Sequence, residues 1–214
     1  MTTTKTQKAE VLSEHQFDGV SQVHGVTFDG ERVWFAHGGR IAAMDPDSGK
    51  VVRSLDVASD AGTAFDGKHL YQLAEDKIHK IDPSSGRIVK TLPAPGGGCD
   101  SGLTWAEGTL WVGQYRDRRI VQIDAETGAV LKTIESDRFV TGVSFVDGEL
   151  WHGTWEGEAS EIRRIDPDSG EVIERLELPE GVGVSGLEAG GSEVFWCGGG
   201  HSGKLRKVRR PKRA

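Results

Sequence analysis

Apolar residues in this chain come in short alternating runs, separated by turns rich in Gly, Asp and Pro. The stretch His24–Gly49, HGVTFDGERVWFAHGGRIAAMDPDSG, shows nearly one full set of runs, and further blocks begin at Ala61, Ser101, Thr141 and Ser185. Each block carries a glycine at its second place: Gly25, Gly62, Gly102, Gly142 and Gly186. Four blocks have an aromatic at the fifth place, namely Phe28, Phe65, Trp105 and Phe145. All five have one six residues later: Trp34, Tyr71, Trp111, Trp151 and Phe195. A third run follows (IAAMD, IHKID, IVQID, IRRID, LRKV). In four blocks it leads into a turn closing on glycine and a fourth alternating run.

Period-two alternation with this punctuation signals strands and hairpins. No 12-residue stretch has a helical apolar period. Each unit therefore reads as four short strands over about 40 residues, the length of a propeller repeat. Five units predict an all-β fold, a five-bladed β-propeller with four antiparallel strands per blade. The fifth block stops after its third strand, LRKV, while Glu10–Phe17, EVLSEHQF, reads like EVIERLEL of block four. The N-terminal strand is thus expected to complete the last blade and remove the open edge of the ring. The expected boundaries are a disordered segment 1–8, one propeller domain 9–208 and a basic tail 209–214.

Charge and composition add exclusions. The chain has 214 residues and a formal net charge of −7, which argues against a general nucleic-acid affinity. Its end, KLRKVRRPKRA, is strongly basic and reads as a solubilising tail, or else as a contact for an acidic partner or RNA. No apolar run is long enough to span a membrane, and MTTTKTQKAE has no apolar core of a signal peptide. The two cysteines fall in different blades and read as free thiols. These features predict a cytoplasmic monomer whose partner is a small polar molecule.

The candidate site follows from what varies between blades. The DG and DPDSG turns are nearly identical and share one face, so they read as scaffold. The loops entering the first strand and those joining the second to the third vary, and they open on the other face. At the axial mouth of that face the blades place His24, Ala61, Ser101, Thr141 and Ser185, so only blade one has a bulky titratable group. A two-residue turn at Gly30-Glu31 predicts that His24 stands opposite His37. Such a pair suits two of the ligands of a divalent metal, or general acid–base catalysis near neutral pH; a hydrogen-bonded pair without chemistry is the plain alternative. His24 and His37 are therefore the candidate catalytic residues and the candidate metal ligands. No other cofactor is indicated.

The variable loops add Asp100, Gln114, Tyr115, Arg116, Trp155, Glu156 and His201 as candidate substrate-binding residues. Arg116 suits a carboxylate or phosphate, and Tyr115 and Trp155 suit the walls of an apolar ligand. Asp60 and Asp100 hold equivalent positions, which favours a turn role for both. Cys197 shares a column with small residues and reads as core, and His152 reads as packed between blades. Glu188 departs from a column of Thr27, Ala64, Thr104 and Ser144, and a carboxylate on an inner strand needs a partner.

The opening SQVHGVTFDGERVWFAHG and the blade end KIDPSSGRIVKTL resemble the five-bladed family that includes plant-type and bacterial glutaminyl cyclotransferases. The resemblance covers nearly the whole chain. It implies cyclisation of an N-terminal glutaminyl residue with loss of ammonia. That family has a carboxylate where this chain has Phe35, and Gln where it has His24. The blades are also similar to those of streptogramin lyases, seven-bladed enzymes that use axial His and Glu with Mg²⁺. The sequence thus reads as a small-molecule-binding propeller with a ligand or active site at the axial mouth. Its catalytic version is a cyclotransferase-like or lyase-like enzyme using the His pair. A non-catalytic scaffold for a protein partner and a metal-binding propeller are the alternatives.

Overall fold

A computed structural model describes residues 4–212. Its strands run, in order, β1 (Lys5–Lys8), β2 (Val11–Gln16), β3 (Val26–Phe28), β4 (Val33–His37), β5 (Arg40–Met44), β6 (Val51–Leu55), β7 (Thr63–Phe65), β8 (Leu70–Ala74), β9 (Lys77–Ile81) and β10 (Ile88–Pro93). They continue with β11 (Asp100–Ala106), β12 (Thr109–Gln114), β13 (Arg119–Asp124), β14 (Val130–Glu135), β15 (Phe139–Val146), β16 (Glu149–Glu156), β17 (Ala159–Ile165), β18 (Val172–Glu177), β19 (Leu187–Ala189), β20 (Val194–Gly198) and β21 (Lys204–Arg209). The described residues contain no helix. Blades one to four are the antiparallel sets β3–β6, β7–β10, β11–β14 and β15–β18; the fifth sheet runs β19-β20-β21-β2.

Ring closure is as expected: β2 pairs antiparallel with β21, Val11 facing Val208 and Gln16 facing Lys204. Charge complementarity supports the seam, since Glu14 pairs with Lys204 and Arg206, and Glu10 with Arg209.

Both chain ends depart from expectation. The segment 1–8 was expected to be disordered, yet β1 adds to the outer edge of blade four, parallel to β18, from Lys5 opposite Glu174 to Lys8 opposite Glu177. Alternating Lys and Glu across this edge explain the order: Lys5 lies 3.1 Å from Glu174 and Lys8 lies 2.6 Å from Glu177. Residues 1–3 lie outside the described residues. At the other end Arg209 is in strand β21, and Arg210, expected in a solvated tail, is only 3% exposed. Its guanidinium donates to Asp147 at 2.8 Å and Glu149 at 3.0 Å, tying the tail to blade four. Residues 213–214 of that tail lie outside the described residues.

The repeated sequence features each have a mechanical role. In the first DG turn, Asp29 Oδ1 accepts from the backbone N–H of Glu31 and Arg32, and its Oδ2 accepts from Trp34 Nε1 at 2.7 Å. The turn carboxylate thus anchors the aromatic of the second strand. Those aromatics, Trp34, Tyr71, Trp111, Trp151 and Phe195, are all buried. They pack between neighbouring blades; Trp34, for example, sits with Ile41 and Leu55 of its own blade and Leu70 and Ile81 of the next.

The second-place glycines form the innermost ring. A Cβ at Gly25, Gly62, Gly102, Gly142 or Gly186 would meet the backbone of the next blade's first strand at under 3.0 Å. Gly25 meets Ala61 and Thr63, and so on around the circle until Gly186 meets His24 and Val26. Only a residue without Cβ lets five inner strands approach this closely.

Candidate functional site

The glycine ring changes the register on which the histidine pair was predicted. In blade one the His24 N–H donates to Ala36 O at 2.9 Å, while the Ala36 N–H donates to Gly25 O at 2.9 Å. Two residues on β3's leading end therefore oppose one on β4, which is a β-bulge. Ser185 and Gly186 oppose Gly198 in the same way. The β11–β12 and β15–β16 ladders slip by one residue between Asp100 and Leu103 and between Val140 and Val143. His24 consequently does not face His37 across the ladder, and the predicted facing pair is corrected. His37 instead pairs with Arg40 in the next hairpin and tilts against Phe35, ring centres 5.3 Å apart. It stays near enough for His24 to contribute to its lowered pKa, after burial and the Arg40 charge.

What gathers around His24 is a different set. A cavity of about 520 Å³ opens at the axial mouth on the variable face. All five blades line it: His24 from blade one, Asp60 at the entry to blade two, Asp100 and Tyr115 from blade three, Trp155 from blade four, and His201 from blade five. Burial lowers the pKa of His24, with the Asp60 charge opposing the shift and His201 adding to it. His24 is thus held neutral near pH 7.

The sequence candidates divide between lining, support and rim. Asp100 lines the cavity; its Oδ1 accepts from Gln114 Nε2 at 3.0 Å and its Oδ2 from the Gly96 N–H at 2.9 Å. Burial pushes its pKa up. Gln114 is fully buried and outside the lining; its carbonyl takes a hydrogen bond from Arg119, so it positions Asp100. Tyr115 stacks on Phe139, ring centres 4.7 Å apart, and Arg118 lies 4.2 Å from the Phe139 ring centre. Trp155 packs over Gly183, where a Cβ would strike its ring. Glu156 is paired with Arg118 at 3.1 Å and does not line the cavity, and Arg116 is exposed and also outside the lining. His201 shares a 2.8 Å hydrogen bond with Gln22 at the mouth.

Asp60, like Gln22 and Ser202, lines the cavity without being among the candidates that the sequence suggests. Its Oδ2 does accept from the Glu75 N–H at 3.0 Å, which is the turn role expected, but the same side chain reaches the cavity. Its adjacency to the bulged column was the available signal. Among the described residues no group of three or more His, Cys, Asp and Glu side chains could hold a metal ion. His24 and His37, separated by the bulge, do not complete one.

Below the cavity, Glu188 has found its partners. Its carboxylate accepts from Ser144 Oγ at 2.6 Å, from the Ala189 N–H at 2.9 Å, and more weakly from Thr27 and Thr104 at 3.2 and 3.4 Å. These come from blades one, three, four and five, so the side chain clasps the ring at its axis. Burial raises its pKa to about 7. His152 and Cys197 are core residues, as read: burial lowers the imidazole to about 4 and raises the thiol.

Fold and site together define a five-bladed propeller with a single-ended axial cavity. Residues 37–164, more than half of the chain, match the family described as outer membrane protein assembly factor BamB, and the chain belongs to that family. Among solved structures, glutaminyl cyclase of Myxococcus xanthus superposes with a TM-score of 0.79 at 17% identity, covering 97% of this chain and 98% of that one. Virginiamycin B lyase of Staphylococcus aureus gives 0.53 at 19%, covering 89% and 67%. Hydrazine synthase of Kuenenia stuttgartiensis gives 0.54 at 18%, covering 88% and 59%. These similarities bear out the five-bladed fold and its resemblance to glutaminyl cyclases and streptogramin lyases. No curated protein matches the sequence.

Proposed function

We propose that this protein binds a small polar molecule in the axial cavity. One observation carries the reading: every blade contributes to one cavity, and it does so on the face whose loops vary between blades. A volume of about 520 Å³ is in the range of small-molecule sites, and polar groups set between Tyr115 and Trp155 suit such a ligand. The test is ligand-induced stabilisation of the purified chain against a panel of small polar compounds, since a binder raises the melting temperature. Stabilisation should be lost in Trp155→Ala and kept in Arg116→Ala. A hit unaffected by Trp155→Ala would place binding elsewhere.

The catalytic version of this reading is glutaminyl cyclisation, supported by the resemblance to glutaminyl cyclases. In it the α-amine of an N-terminal glutaminyl residue attacks the side-chain amide carbon, and ammonia leaves as the amide C–N bond breaks. Neutral His24, beside Asp60, would take the amine proton and return one to the departing nitrogen. Ammonia release from glutaminyl dipeptides, abolished by His24→Ala, is the expected result. Absence of release in wild type removes the catalytic version and leaves the binding site.

A further inference from the structure

We propose that the ligand of this cavity is a small organic ammonium ion, held by Asp60 and Asp100 between the aromatic walls of Tyr115 and Trp155. The inference rests on the reading of the cavity as a small-molecule site and adds the ligand's charge.

Three features of the lining carry it. Among the described residues no Lys or Arg lines the cavity, although 26 such residues occur in the chain. Outside the lining, Arg118 pairs with Glu156, Arg119 with Gln114 and Asp117, and Arg206 through its Nε with Glu14, its unpaired Nη1 lying behind Gly199, while Arg116 is exposed. The carboxylates of Asp60 and Asp100 therefore face the cavity with no basic side chain beside them in the lining.

Both carboxylates are held by only one or two donors, Asp60 by the Glu75 N–H and Asp100 by the Gly96 N–H and Gln114. Each keeps acceptor capacity for an ammonium N–H. The aromatic rings add attraction of the kind that favours cations over neutral molecules. Neutral His24 offers a ring nitrogen rather than a competing charge. An anion would meet two carboxylates, the exposed Asp60 and the half-buried Asp100, and a neutral ligand would gain no charge attraction from them.

The experiment uses three ring compounds of similar shape: benzylamine, a cation at neutral pH, benzyl alcohol and benzoate. Each is titrated into the full chain at pH 7, by calorimetry and by two-dimensional NMR of the backbone amides. Benzylamine should shift resonances of residues 100–101, 141 and 199–202 and bind at least about tenfold more tightly than the alcohol, with benzoate not binding. Raising the salt should weaken benzylamine alone. Asp60→Asn should reduce its affinity about tenfold. Asp100→Asn should do the same, and because Asp100 also supports its own loop, the spectrum of each free variant establishes that it is folded. Equal or tighter binding of the alcohol or benzoate at the same resonances overturns the ammonium assignment and leaves the site. If no compound moves those resonances, both the assignment and the site fall.

Discussion

Gln114 donates a hydrogen bond to Asp100 at 3.0 Å across the β11–β12 ladder, and the two residues are paired in register. The turn alone would have given Gln114 a different partner, Ser101. The bulge that makes the difference opposes Gly113 with both Ser101 and Gly102, and it lets Gly102 press on blade four. The relationship predicts that Gln114→Ala removes one hydrogen bond from each of two groups, leaving the Asp100 carboxylate with only the Gly96 N–H and the Arg119 guanidinium with only Asp117. The loss should be about 1–3 kcal/mol of stability, measured by urea unfolding, with a weakened grip on any cavity ligand. An unchanged midpoint and unchanged binding would show that Gln114 does not hold Asp100.

That bulge also marks the limit of what was legible in the sequence. Strand number, blade number and ring closure all follow from alternation and turn residues, which are local and repeat. The facing of His24 and His37 does not, because a bulge adds one residue and turns every later side chain to the other face. A sequence clue did exist in the invariant pairing of a varied residue with glycine at each block start. Its cause, contact with the next blade, is tertiary. The role of Glu188 was hidden for the same reason: its donors Thr27, Thr104 and Ser144 are distant in sequence and meet only at the axis.

The two N-terminal strands should differ in weight. β2 supplies the outer strand of blade five, and the seam includes Glu14 against the 4%-exposed Arg206. β1 only adds a parallel edge to a blade that already has four strands. Removing residues 1–9 should lower the melting temperature by a few degrees, about 1 kcal/mol, and keep a cooperative transition. Removing residues 1–17 should abolish cooperative unfolding. A truncation to residue 18 that melts like wild type would refute the closure.

Acid should weaken the protein through His152. The imidazole is buried against Gly153 O, with Nδ1 3.1 Å from that oxygen, and its pKa is lowered from 6.5 to about 4. Between these values the unfolded chain takes up a proton that the native state refuses. Stability therefore falls as pH drops from 6.5 towards 4, by up to about 3 kcal/mol from this group. His152→Gln cannot titrate there. The difference in unfolding free energy between wild type and variant should change by this amount across the window, and a flat difference would mean that the imidazole protonates in place.

Glu188 should act in the opposite direction. Its pKa is raised from 4.5 to about 7, with burial as the largest cause and the donated hydrogen bonds opposing it. The native state keeps a proton that the unfolded chain has already lost, so this group's contribution declines as pH rises from 4.5 to 7. The size is at most about 3 kcal/mol. Other carboxylates, such as Asp82 with its pKa near 2, favour the native state as pH rises, so the raw wild-type curve will not isolate Glu188. The difference between wild type and Glu188→Gln will. Glutamine keeps the shape and one carbonyl acceptor for Ser144 and the Ala189 N–H, and its amide can donate to the threonine oxygens. Relative to wild type the variant should be more stable at pH 8 than at pH 5, with the change centred between 4.5 and 7. A difference that is flat across that window would mean that the four donors hold the carboxylate ionised at an ordinary pKa. Glu188 would then be a charged clasp on the axis at every physiological pH.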